Sequence, residues 1–171
     1  MIKKFLKHQK YRNMTRVSSS FILEEFAKIV EKTIKHFEKN GQIEKPEHKE
    51  VLKFESTALL FWLFQKADIF PEIWHRLILD EIHNQYYNRL KKHNYDSKMR
   101  QVVCDDFNLR YKTYNEVLVE NSDLSRVGAK FASFVSERAK VKLDIKDIMI
   151  PLFLAEKAAD KFEEFRKVIK N

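Results

Sequence analysis

Apolar residues recur every three or four positions through most of this 171-residue chain, the period of α-helices with one buried face. Ser20 reads as an N-cap, followed by Ile22, Phe26, Ile29, Val30, Ile34 and Phe37 on one face, with Glu24 and Glu25 in the early turns. Asn40-Gly41 ends this first helix, Gly41 being suited to the left-handed cap position. Pro46 opens a second helix that runs through Val51, Phe54 and Ala58 to about Lys66. Residues 58–64 of that helix are apolar all round, so the pattern predicts a helix surrounded by the others. Pro71 starts a third helix carrying Trp74, Leu77, Ile78, Ile82, Tyr86 and Leu90. Asp96 caps a fourth, which displays Met99, Val103, Phe107, Tyr111, Tyr114 and Leu118. Beyond Asn121-Ser122-Asp123, a shorter fifth helix presents Leu124, Val127, Phe131, Phe134 and Val135, with Gly128 at a close helix contact. Asp144 caps the last helix, with Ile148, Leu152, Ala155, Ala159, Phe162, Phe165 and Ile169 inward. Pro151 either kinks that helix or places its true start near Met149.

Composition narrows the class further. The chain has 2 glycines and 3 prolines, where average usage would give roughly twelve and nine. The expected fold is all-α: a single-domain antiparallel bundle of about six helices, with the helix at about 46–66 central and mostly buried. Residues 18–171 form the bundle domain in this reading, and residues 1–17 a basic N-terminal arm, either disordered or a short helix. The longest apolar run has seven residues, Ala58 to Phe64, against the eighteen or so that a membrane helix requires, so an integral membrane protein is not expected. No apolar stretch of signal-peptide type follows the basic start, and Cys104 has no second cysteine to pair with, so a reducing cytoplasm is the expected location.

Charge is unevenly spread. The net charge is +8, from 33 Lys and Arg against 25 Asp and Glu. Lys3, Lys4, Lys7, Lys10, Arg12 and Arg16 lie in the first twenty residues, which hold no acid. The remaining 151 residues carry 27 bases against the same 25 acids and are close to neutral. The basicity is therefore that of an arm rather than a coat. A second basic stretch interleaves Tyr86, Tyr87 and Tyr95 with Arg89, Lys91, Lys92, His93, Lys98 and Arg100. Cations between aromatics can bind phosphates or stack on bases, but cations also favour a helix C-terminus electrostatically, and Tyr86 is expected to pack inward.

Chemistry-bearing motifs are sparse. There is no GxxxxGK[ST], GxGxxG, GxSxG, HExxH or CxxC, and no EF-hand loop. Glu72/His75 and Asp80/His83 have the carboxylate–histidine spacing of di-iron bundles, but both pairs sit on one helix, and only Glu55 is a candidate bridging acid. Glu55 precedes the apolar run and could act as an acid or base; more commonly such a Glu pairs with a Lys or Arg. Asp105-Asp106 lacks the third acid of a magnesium motif and reads as an exposed face, with Asp106 and Arg110 as an i,i+4 pair. Cys104 reads as a small buried thiol. No cofactor or metal site is expected, and no residue is identified as catalytic. The leading expectation is a non-enzymatic interaction or adaptor protein that presents a bundle face to a protein partner or to its own copy. A nucleic-acid-binding accessory protein is the alternative. It would use the six cations of the arm together with Arg89, Lys91, Lys92, Lys98 and Arg100. A helical enzyme or metal binder built on Glu55, His75 and His83 is third.

Overall fold

Glycine and proline are nearly absent between the breaks, so each apolar stretch continues as helix until a turn residue stops it. The computed structural model describes residues 2–67, 70–121, 124–141, 143 and 149–170, with side chains from residue 12 onward except 119–121, 165, 166 and 168–170. The described residues contain six helices and no strand: α1 (Ile2–Lys39), α2 (Pro46–Lys66), α3 (Glu72–Lys92), α4 (Ser97–Asn121), α5 (Leu124–Ala139) and α6 (Ile150–Lys170). They pack on one another as a bundle. None is long and apolar enough to cross a membrane.

The helix ends follow the turn chemistry. At the end of α1, Gly41 adopts φ +66°, its N–H bonding Glu38 O at 3.0 Å while Gln42 N–H bonds Phe37 O at 3.0 Å. This paired pattern satisfies two carbonyls that the helix leaves open. Asp96 caps α4 by accepting from Met99 N–H at 2.8 Å. Pro151 is the second residue of α6, where its missing N–H costs nothing, so the helix begins beside it rather than kinking there. The expected Asp144 cap lies outside the described residues.

Ser20 is not a cap. The α1 backbone runs unbroken from Ile2, and the serines are absorbed into it: the Ser19 hydroxyl is shared between Thr15 O at 2.8 Å and Ile78 O at 3.2 Å. A hydroxyl that bonds the carbonyl four residues back is compatible with helix, and the contact with α3 then holds it there.

Helix α2 touches all five of the other helices. Its apolar circumference divides the interior in two. Ala58, Leu60, Phe61 and Phe64 join Ile22, Phe26, Ile29, Ile78, Ile82, Phe107 and Phe162 in one cluster. Leu52, Leu59 and Trp62 join Phe37, Tyr114, Val127, Phe131, Val135 and Leu152 in the other. A helix with a core on each side has no face left for polar residues, which accounts for the uninterrupted run. Three residues assigned to inner faces from periodicity are exposed instead: Leu77 (46%), Met99 (53%) and Leu124 (45%). Met99 and Leu124 lie in the first turn of their helices, and Leu77 lines an open groove.

Candidate functional site

Glu55 and His83, two of the interior groups singled out from the sequence, are engaged by neighbouring side chains. Glu55 on α2 is fully buried, and the Arg110 guanidinium on α4 grips it with two bonds, Nε to Oε2 at 3.0 Å and Nη2 to Oε1 at 2.7 Å. Arg138 on α5 donates to the same Oε1 at 3.0 Å. Asp106 Oδ1 lies 3.5 Å from Arg110, and its Oδ2 lies 3.4 Å from Arg138. The rings of Phe134 and Phe54 cover the two guanidinium groups, at 4.2 Å from Arg110 and 4.9 Å from Arg138. The expected Asp106–Arg110 pair is present, but the face is not exposed at Arg110: its side chain is 5% exposed, and its closer partner is Glu55. Glu55 has both oxygens occupied by guanidinium donors, so it is not a free acid or base.

His83 donates from Nδ1 to Leu79 O at 2.9 Å and accepts the Tyr111 hydroxyl at Nε2, 2.8 Å away. Burial holds its pKa below the ordinary imidazole value, more than the Leu79 bond and the Asp80 charge raise it. It is a half-buried histidine with both ring nitrogens hydrogen-bonded. His75 stacks on Phe64 at 4.8 Å. Glu55, His75 and His83 therefore have different neighbours, and no group of three metal-ligating side chains occurs among the described residues. Cys104 is half-buried, with Asn108 Nδ2 at 4.0 Å from its sulfur.

The surface offers a different arrangement. An open groove of about 1630 Å³ runs between α1 and α3. The two helices are tied by Ser20 Oγ, which donates to Gln85 Oε1 at 3.2 Å, and by Gln85 Nε2, which lies 3.5 Å from Arg16 O. The chemistry of the groove is graded along α3, whose 21 residues span about 30 Å. Its first half contributes Glu72, Ile73, Trp74, Leu77, Asp80 and Glu81. Ile73 is 76% exposed, the barest large apolar side chain described. The second half contributes Asn84, Gln85, Asn88, Arg89 and Lys92, and α1 adds Arg12, Asn13 and Arg16 from across the groove.

The two basic features of the sequence, far apart in the chain, thus meet on one surface. Arg12 and Arg16 join Arg89 and Lys92. Lys91 and Lys98 are exposed but do not line the groove, and Arg100 donates to Asp96 O at 3.3 Å. The side chains of Lys3, Lys4, Lys7 and Lys10 lie outside the described residues. Tyr86 turns inward, packing on Phe61 at 5.5 Å and on Phe107 at 5.4 Å, and Tyr87 packs against Tyr86 at 5.9 Å. The polar stripe of α3 escaped sequence reasoning, although Ile73, Leu77, Glu81, Asn84, Asn88 and Lys92 recur at three- and four-residue spacing. No protein-family model matches the chain, and neither a curated protein nor a solved structure matches it.

Proposed function

We propose that this chain is a non-enzymatic interaction protein and that the α1–α3 groove is the face it presents to a helix of a protein partner. The observation that carries this reading is the exposed pair Ile73 and Leu77 beside half-buried Trp74, at one end of a groove whose charges are segregated. A helix laid in such a groove can bury its apolar face on Ile73, Trp74 and Leu77. Its own charges then meet carboxylates at one end and guanidinium groups at the other, which fixes its direction. The engaged state of Glu55 and His83 supports a binding role over a catalytic one.

The test is a photo-crosslinking side chain placed at Ile73, at Leu77 and, as a control, at exposed Leu109 in the full chain, followed by binding measurements with the purified adduct partner. The expected result is one protein crosslinked from both groove positions and not from Leu109, with its affinity weakened at least about tenfold by Ile73→Glu. Crosslinks that are equal at Leu109, or an affinity unchanged by Ile73→Glu, would overturn the assignment of this face.

A further inference from the structure

We infer that the basic end of the α1–α3 groove binds the sugar-phosphate backbone of a nucleic acid, without reading its bases. The inference stands on observations separate from the apolar end and goes beyond the protein-docking reading. Arg12, Arg16, Arg89 and Lys92 line the groove from two helices, and none has a carboxylate in ion-pair range among the described residues. Some surface cations are paired, as in Lys35–Glu31 at 2.6 Å, Lys49–Glu38 and Lys161–Glu25 at 2.8 Å, and others such as Lys39 and Lys130 are not, among the described residues. What sets these four apart is that two helices bring them to one groove. Four uncompensated cations on facing helices repel one another, and a row of phosphates relieves that repulsion while releasing condensed counterions.

Helix electrostatics account for only half of the cluster. Arg89 and Lys92 lie in the last turn of α3, where cations are favoured. Arg12 and Arg16 lie far from the C-terminus of α1 and gain nothing from it. Asn13, Asn84 and Asn88 add amides beside the cations, which can donate to phosphate and sugar oxygens, while Gln85 is engaged with Glu81 at 3.0 Å and with Ser20. Because Tyr86 and Tyr87 pack on the core side of α3, the groove has no aromatic platform of theirs on which bases could stack. The contact is therefore electrostatic and indifferent to sequence.

The test uses the full chain and a labelled mixed-sequence single-stranded oligonucleotide, followed by fluorescence anisotropy across a salt series. Four phosphate contacts predict a slope of log affinity against log salt of about −3, which is about a 50-fold loss between about 50 and 200 mM salt. A variant with Arg12→Gln, Arg16→Gln, Arg89→Gln and Lys92→Gln is expected to lose at least about 30-fold at low salt. A second variant removes the same charge from other faces, through Lys39→Gln, Lys45→Gln, Lys66→Gln and Lys130→Gln. It is expected to stay within about threefold of the parent. Equal losses in the two variants would mean that net charge, not this groove, holds the strand, and would overturn the proposal. So would absence of binding at low salt. Displacement of the oligonucleotide by polyglutamate at equal charge concentration would overturn it in favour of an acidic protein segment. Ile73→Glu is expected to leave oligonucleotide affinity within about threefold, so that failure of the docking reading, seen in partner affinity, is read separately from failure at this end, seen in the oligonucleotide titration.

Discussion

Arg110 and Arg16 are the same residue in opposite circumstances. Arg110 is 5% exposed, held by Glu55 at 2.7 Å and covered by the Phe134 ring at 4.2 Å. Arg16 is exposed on a groove wall with no carboxylate in reach among the described residues. A buried guanidinium without a partner would cost several kcal/mol, so Arg110, Glu55 and Arg138 act as one unit that joins α2, α4 and α5. An exposed guanidinium retains its hydration and contributes little to folding. Its capacity to bind is left for something outside the chain. The comparison separates the charges that build this fold from those available to a ligand.

Four measurements break or sharpen that comparison. The largest effect is expected from Glu55→Ala, which strands two guanidinium groups: urea unfolding should show a loss of about 3–5 kcal/mol, whereas Glu55→Leu combined with Arg110→Met should recover most of it. A loss under about 1 kcal/mol from the single change would show that the cluster is wetter and weaker than its geometry says. A smaller effect is expected from His83. Its folded-state pKa is depressed by burial, so below the ordinary value of 6.5 the unfolded chain takes up a proton that the folded chain resists. Stability should then be unaffected above that value and fall as pH drops through it, and His83→Gln should remove this share of the slope in unfolding curves at neutral and mildly acidic pH.

Glu25 comes next. Hydrogen bonds from Lys161 on α6 and Lys28 hold its pKa below the usual carboxylate value, so its contribution is present at neutral pH and is lost as pH falls through the lowered value. Lys161 is 56% exposed, which limits the pair. Lys161→Ala is expected to cost under about 1 kcal/mol in thermal unfolding. The smallest effect belongs to the groove. Replacing Arg12, Arg16, Arg89 and Lys92 by Gln should leave the unfolding free energy within about 0.5 kcal/mol in total while lowering oligonucleotide affinity at least about 30-fold. Unfolding at much lower denaturant would show that these cations hold α1 to α3 and are not free for a ligand.

Local signals carried the fold. The left-handed Gly41, the Asp96 cap and the early Pro151 act within a few residues of themselves, and each operates in the structure as the pattern implies. The central place of α2 was readable because a helix apolar on every side has nowhere else to go. Ser20 misled because hydroxyls suit both a cap and a helix interior, and a bond to Gln85, 65 residues away, decides between them. Leu77 misled because periodicity locates an apolar stripe but not whether a neighbouring helix covers it, and Leu77 lines the open α1–α3 groove.

The candidate site was legible only in fragments. The sequence supplied a basic arm and a basic helix end as separate features, and it supplied Glu55 without its partners. Amphipathic period, helix breaks and charge balance are properties of neighbouring residues, so the sequence by itself determined the helices and the buried role of α2. The pairing of Arg110 with Glu55 joins residues 55 positions apart. The meeting of Arg16 with Arg89 follows from the docking of α1 on α3. Both depend on which helix packs against which, a choice made by summed contacts across two cores. That choice decided which charges were buried in pairs and which were left facing the groove.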